Sequence, residues 1–179
     1  PGLLGDSSAK DVESPENAGV PVLCAGVLSE EGAESLEERP ADYLIAATPD
    51  AIYNGLVCAH LAPHFGHQRV YQVSPGIARL DQYRGLSRDA RGKVLGQPGW
   101  NFTLLETLIK QGWRFVAKDV TEENKERLLM ENSDFLIFLV IQKGAAITVV
   151  SLEDDAAPPF WPGLVAIGLM PPPAIGQAS

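Results

Sequence analysis

Apolar and polar segments alternate most clearly across residues 42–74, DYLIAATPDAIYNGLVCAHLAPHFGHQRVYQVS. Tyr43, Leu44, Ile45, Ala46 and Ala47 form a short apolar run between polar residues, the pattern of a strand covered on both faces in a parallel sheet. Thr48, Pro49 and Asp50 carry helix-start chemistry: a hydroxyl to cap free amides, a proline suited to the first helical position, and an acid for the positive end of the dipole. Ile52, Leu56, Val57, Ala59 and Leu61 supply an apolar face at helical spacing, Pro63 and Gly66 stop the helix, and residues 70–73 return to strand. This is a βαβ pattern, for which a right-handed crossover is the default.

Upstream, Leu3 and Leu4 make a very short apolar segment, residues 11–19 a polar connector broken by Pro15, and residues 20–25 a further strand. Ser29, Glu30 and Glu31 open a helix that must stop at Arg39 and Pro40. The order is that of a doubly wound α/β sheet without its first strand and helix. Residues 75–89 mix charges with two glycines and show no sustained period, which reads as a linker. Beyond it the spacing predicts a brief strand at 91–95, a helix capped by Asn101 with Leu104, Leu105, Leu108 and Ile109 on one face, and a strand at 113–120. A second helix at 122–131, capped by Thr121, leads to a hairpin of 135–141 with 147–152 and a last strand at 164–170. The expected fold is therefore α/β: a truncated Rossmann-like, doubly wound parallel sheet over residues 1–76, a linker at 77–90, a small α+β lobe at 91–172, and a tail at 173–179.

Composition narrows the function classes. The formal net charge of −9 argues against nucleic acid and anionic membrane surfaces as partners. The longest uninterrupted apolar run, residues 135–141, is far shorter than the ~20 residues a membrane-spanning helix needs. Cys24 and Cys58 both sit in apolar runs and read as reduced core thiols. The chain begins at Pro1 with no methionine before Met130, which leads to the expectation of a processed protein or a piece of a longer polypeptide.

Several segments carry a resemblance: Leu3-Leu4-Gly5-Asp6, Ala18-Gly19-Val20-Pro21-Val22-Leu23, residues 43–50, and His60-Leu61-Ala62-Pro63-His64-Phe65-Gly66 with Val70-Tyr71-Gln72-Val73. Residues 103–106, Gln111-Gly112-Trp113, Thr121-Glu122-Glu123 and residues 162–167 extend it. Together they resemble the cytosolic C-terminal region of bacterial NhaP-like monovalent cation/proton antiporters, of the RCK/TrkA kind. The resemblance implies a non-catalytic regulatory domain on the cytoplasmic side of the inner membrane. It would be part of the same polypeptide as a transmembrane antiporter domain, paired as a homodimer, and able to bind an adenine nucleotide or NAD. It places a ribose-facing acid at Asp6, with Ser7 beside it, and the strand-end turn bordering the ligand cleft at Thr48 and Asp50. The glycine-rich turn that cradles a pyrophosphate is missing, since no GxGxxG occurs.

Other chemistry is sparse. His60, His64 and His67 fall at i, i+4 and i+7, a zinc-compatible stripe on an unbroken helix, but Pro63 disturbs it and no carboxylate lies within it. Glu30, Glu31, Glu34, Glu37 and Glu38 read as a solvated helix face, and Trp100, Trp113 and Trp161 as core or junction anchors. No GxSxG, P-loop or Cys/His nucleophile arrangement is present. Two alternatives remain: a fragment of a nicotinamide-dependent oxidoreductase, which would need a substrate-facing acid or base in the second lobe, and a purely structural dimerisation module.

Overall fold

The computed structural model describes residues 4–5, 22–23, 27–29, 32, 41–96, 99–129, 135–142, 147–151, 153 and 160–173. In chain order the elements are β1 (Leu4–Gly5), β2 (Val22–Leu23), β3 (Leu44–Ala46), α1 (Ala51–Phe65), β4 (Val70–Gln72), α2 (Ile77–Arg84), β5 (Lys93–Val94), α3 (Phe102–Lys110), β6 (Arg114–Asp119), α4 (Lys125–Leu129), β7 (Leu136–Gln142), β8 (Ile147–Val149) and β9 (Leu164–Met170). Short 3₁₀ turns at His67–Arg69 and Arg88–Ala90 complete them. The content is mixed α/β, with parallel and antiparallel pairing.

The chain folds as two compact units whose segments interleave. The first comprises Pro1–Ala46, Ile52–Gln72 and Ser87–Gly92, the second Ala47–Ala51, Val73–Leu86 and Lys93–Ser179.

In the first unit β1 pairs parallel with β2, and β3 with β4 in the register Leu44↔Val70, Ile45↔Tyr71, Ala46↔Gln72. The expected βαβ unit is present. α1 carries no Asp, Glu, Lys or Arg and is apolar around most of its girth. Its buried residues, Asn54, Val57, Cys58, Leu61, Ala62 and Phe65, repeat at helical spacing and pack on Ala46 and Val70. Burying Val57, Leu61 and Phe65 contributes about 1.5–3 kcal/mol each.

This face is rotated from the one expected. Val57 and Leu61 are inside, whereas Ile52 and Leu56 are 73% and 57% exposed. When both sides of a helix are apolar, hydrophobic spacing alone does not say which side meets the sheet. The helix also starts two residues later than expected, at Ala51, and runs through Pro63 to Phe65. Ile45 of β3 is exposed, so the expectation of a strand covered on both faces fails there, whereas β4 is buried throughout.

In the second unit the antiparallel sheet has the order β6-β9-β7-β8. The last strand is inserted between β6 and β7, pairing Ala117 with Ile167 on one side and Val140 with Ala166 on the other. Val120, Leu128, Phe135, Val140, Leu164 and Ala166 form its core. At Gly168 the backbones approach so closely that a Cβ would lie 2.5 Å from the Leu136 carbonyl oxygen and 2.8 Å from the Phe135 ring.

α3 is capped as expected, the Asn101 side chain accepting from the Leu104 amide at 2.9 Å. α4 begins three residues later than the predicted 122–131 helix, at Lys125, and the end of that prediction lies outside the described residues. Thr121 and Asn124 hold its approach by reciprocal bonds, Thr121 N to Asn124 Oδ1 at 2.9 Å and Asn124 N to Thr121 Oγ1 at 3.3 Å, so the chain turns at 121–124 before helix begins. The stretch expected to be a linker instead contains α2, with Tyr83 buried against Val94. One buried aromatic on an otherwise polar segment is a weak periodic signal. Trp100 is buried on Phe138 (centroids 5.0 Å apart), in line with an anchor role, but Trp161 is exposed.

Candidate functional site

In a parallel α/β sheet, ligands bind beyond the carboxyl ends of the strands, where loops turn into helices. In this chain those loops follow β3 and β4. Thr48, Pro49 and Asp50 lead from β3 into α1, and Ser74, Pro75 and Gly76 lead from β4 into α2. The two turns are built alike. The Thr48 hydroxyl accepts from the Asp50 amide at 3.3 Å and donates to the Asp50 carbonyl at 3.3 Å, while the Ser74 hydroxyl accepts from the Gly76 amide at 3.2 Å. Residues of one turn are offset from those of the other by the same interval that pairs Leu44 with Val70, so equivalent positions leave adjacent strands.

Thr48 therefore closes a local hydroxyl turn instead of capping α1 directly. Such side-chain-to-backbone bonds compete with helix geometry, which explains the late helix start. α1 has no acid in its first turn, so Asp50 precedes the helix instead of belonging to it. Thr48 is half-buried and Asp50 exposed. The second turn is tied down further: Ser74 is buried, its amide donates to the Trp100 carbonyl at 3.3 Å, and it bridges to Asn101. Gly76, at φ 93°, adopts a backbone conformation that other residues rarely take.

The loops Ala47–Ala51 and Val73–Gly76, with Asn101, all belong to the second unit. They present two hydroxyl turns, each immediately preceding a helix. A helix start carries partial positive charge and suits an anionic or polar group. No side-chain cap occupies the start of α2.

Of the residues the sequence singled out, Thr48 and Asp50 fall in this edge. Asp6 and Ser7 lie outside the described residues, as do Cys24 and the acids from Glu30 to Glu38. Ser74 and Gly76 join them without having been expected, although Ser74-Pro75-Gly76 repeats the hydroxyl–proline–turn order of Thr48-Pro49-Asp50. Ser29 accepts from the Gly32 amide at 3.2 Å, the bond of the helix start expected there.

The histidines do not converge. His60 and His64 are exposed on α1, His64 edge-on to Phe65, while Gly66 ends the helix so that His67 lies in the following 3₁₀ turn. His67 Nε2 stands 3.7 Å from Asp89 Oδ1. Among the described residues no three His, Cys, Asp or Glu side chains are grouped to hold a metal ion, and no helix is long and apolar enough to cross a membrane.

A second polar cluster is buried inside the first unit. Gln72, wholly enclosed at the end of β4, accepts from the Gly92 amide through Oε1 at 3.3 Å, while its Nε2 has no hydrogen-bond partner. Cys58, a free thiol, is directed at the Tyr71 carbonyl oxygen at 3.5 Å. Burial pushes this thiol up to about 12, offset in part by the Gly92 amide. While buried it is held as the protonated thiol. No family model matches the chain, and a search of curated proteins finds no match.

Proposed function

We propose that this chain is a non-catalytic regulatory domain attached to a membrane cation/proton antiporter on its cytoplasmic side, and that a polar or anionic ligand at the carboxyl edge of β3 and β4 controls it. The reading joins the sequence resemblance to one observation: equivalent hydroxyl turns at Thr48 and Ser74 precede two helix starts on adjacent parallel strands. A Rossmann-like, doubly wound sheet is the architecture in which such an edge serves as a ligand cleft, and an adenine nucleotide or NAD is the ligand class the resemblance suggests. Control of transport requires that the ligand bind two conformations with different affinity.

The test is the solution mass and thermal stability of the chain with NAD, ATP and AMP at millimolar concentration. The expected result is a thermal shift with at least one of them, accompanied by a change in mass. No shift and no calorimetric heat with any of the three refutes the ligand-controlled reading.

A second reading, a dimerisation module without a ligand, is favoured by the bare apolar stripe of α1. Ile52 and Leu56 are exposed, and Pro63 continues the same line. A ligand-indifferent dimer that Leu56→Lys converts to monomer would select it.

A further inference from the structure

Ser87–Gly92 belongs to the first unit, although the residues before and after it in the chain, Leu86 and Lys93, belong to the second. On the first unit this segment meets a receiving surface made by β4 and α1. Asp89 stands opposite His67. The Gly92 amide donates to Gln72, and the Arg91 guanidinium, on a buried residue, donates to the Gly92 carbonyl at 3.3 Å. Contact at Gly92 is so close that a Cβ there would lie 2.7 Å from Cys58 Sγ and 3.1 Å from the Tyr71 carbonyl carbon. Gly55 receives the segment from α1, where a Cβ would stand 3.9 Å from the Ala90 carbonyl oxygen. Gly92 is thus the position at which the segment needs a glycine, while the Gly55 side makes an ordinary contact.

Two features make this contact releasable. The Asp89–His67 pair is largely exposed, the side chains 85% and 47% accessible, so solvent competes with it. Beneath the segment the Gln72 Nε2 is enclosed without a partner, a group that water would satisfy as soon as the segment lifted. Closure thus hides a donor that opening hydrates, while packing of Gly92 on the thiol and its hydrogen bond to Gln72 favour the closed form.

We propose that Ser87–Gly92 is a strap that opens and closes locally over the end of β4, with Gln72 and Cys58 as the surface it covers. The proposal does not depend on the antiporter reading, since it concerns an opening within one unit.

The buried thiol reports the strap directly. In the full chain carrying Cys24→Ser, the labelling rate of Cys58 by a maleimide is measured against urea, with the unfolding midpoint followed in parallel. The expected result at low urea is labelling through a local opening, with a rate that hardly changes with denaturant. His67→Ala, at an exposed position, should raise that rate about threefold, with the unfolding midpoint falling by no more than the same small free energy. Gly92→Ala should raise it about tenfold or more. Amide exchange gives a second readout: the Gly92 amide should exchange well ahead of the α1 amides at Val57 and Leu61. Labelling that follows global unfolding throughout, with the urea dependence of the unfolding reaction, overturns the strap. Local labelling indifferent to both substitutions also overturns it, because the opening would then lie elsewhere.

Discussion

Gln72→Met is expected to be nearly free of cost to stability, although it removes a wholly buried polar side chain. The carboxamide makes a single hydrogen bond: its oxygen accepts from the Gly92 amide at 3.3 Å, and its nitrogen has no partner. Removing the oxygen takes one acceptor from the Gly92 amide, at up to about 1–3 kcal/mol, and removing the unpartnered nitrogen returns a desolvation cost of the same order, about 1–3 kcal/mol. Methionine fills a similar volume, and the Gly92 amide still faces Cys58 Sγ, so the net change should lie within about 1 kcal/mol. Ser151→Ala is the contrast. That buried hydroxyl is used twice, donating to the Val94 carbonyl at 2.7 Å and accepting from the Glu153 amide at 3.3 Å, so the smaller substitution should cost about 1–3 kcal/mol. Urea unfolding followed by far-ultraviolet circular dichroism and tryptophan fluorescence gives both values, with coincidence of the two probes as the check on two-state behaviour. A Gln72→Met loss above about 2 kcal/mol would refute the reasoning, since it would mean that the carboxamide nitrogen is satisfied.

Gly168→Ala should destabilise the antiparallel sheet by about 3 kcal/mol, at the upper end of overpacking, because the new methyl meets the Leu136 carbonyl as well as the Phe135 ring. Its urea midpoint checks this, and pairing it with Phe135→Leu should recover only part of the loss, since the carbonyl cannot yield. Cys58 should make the chain sensitive to alkali. Its thiol rises from 9.0 to about 12 on folding, so the folded state holds the proton more tightly. The associated stability is complete below pH 9 and is lost between pH 9 and 12, at up to about 1.4 kcal/mol per pH unit. Urea midpoints at pH 8 and pH 10.5 should fall further for the parent than for Cys58→Ala; equal falls would show that another group governs the loss.

Elements whose signals are local are legible in the order of the amino acids alone. The apolar run at 43–47, the turn at 48–50 and the return at 70–73 are enough to specify a strand, a helix and a parallel strand, because a short apolar strand joined by a helix to another has few other arrangements. Asn101 determined the start of α3, and residues 164–170 matched β9 from first to last. Thr48 and Asp50 were found for the same reason, since turn chemistry is written in adjacent residues. Tertiary structure decided what depends on distant partners. Whether Ile52 and Leu56 or Val57 and Leu61 face the sheet is undetermined in a helix apolar on both sides, and contact with Ala46 and Val70 settles it. The insertion of β9 between β6 and β7 joins segments far apart in the chain, which no local pattern encodes. Gly92 looks like any loop glycine until Cys58, Tyr71 and Gln72 are brought beneath it, and only that packing turns an anonymous mixed-charge stretch into a fitted strap.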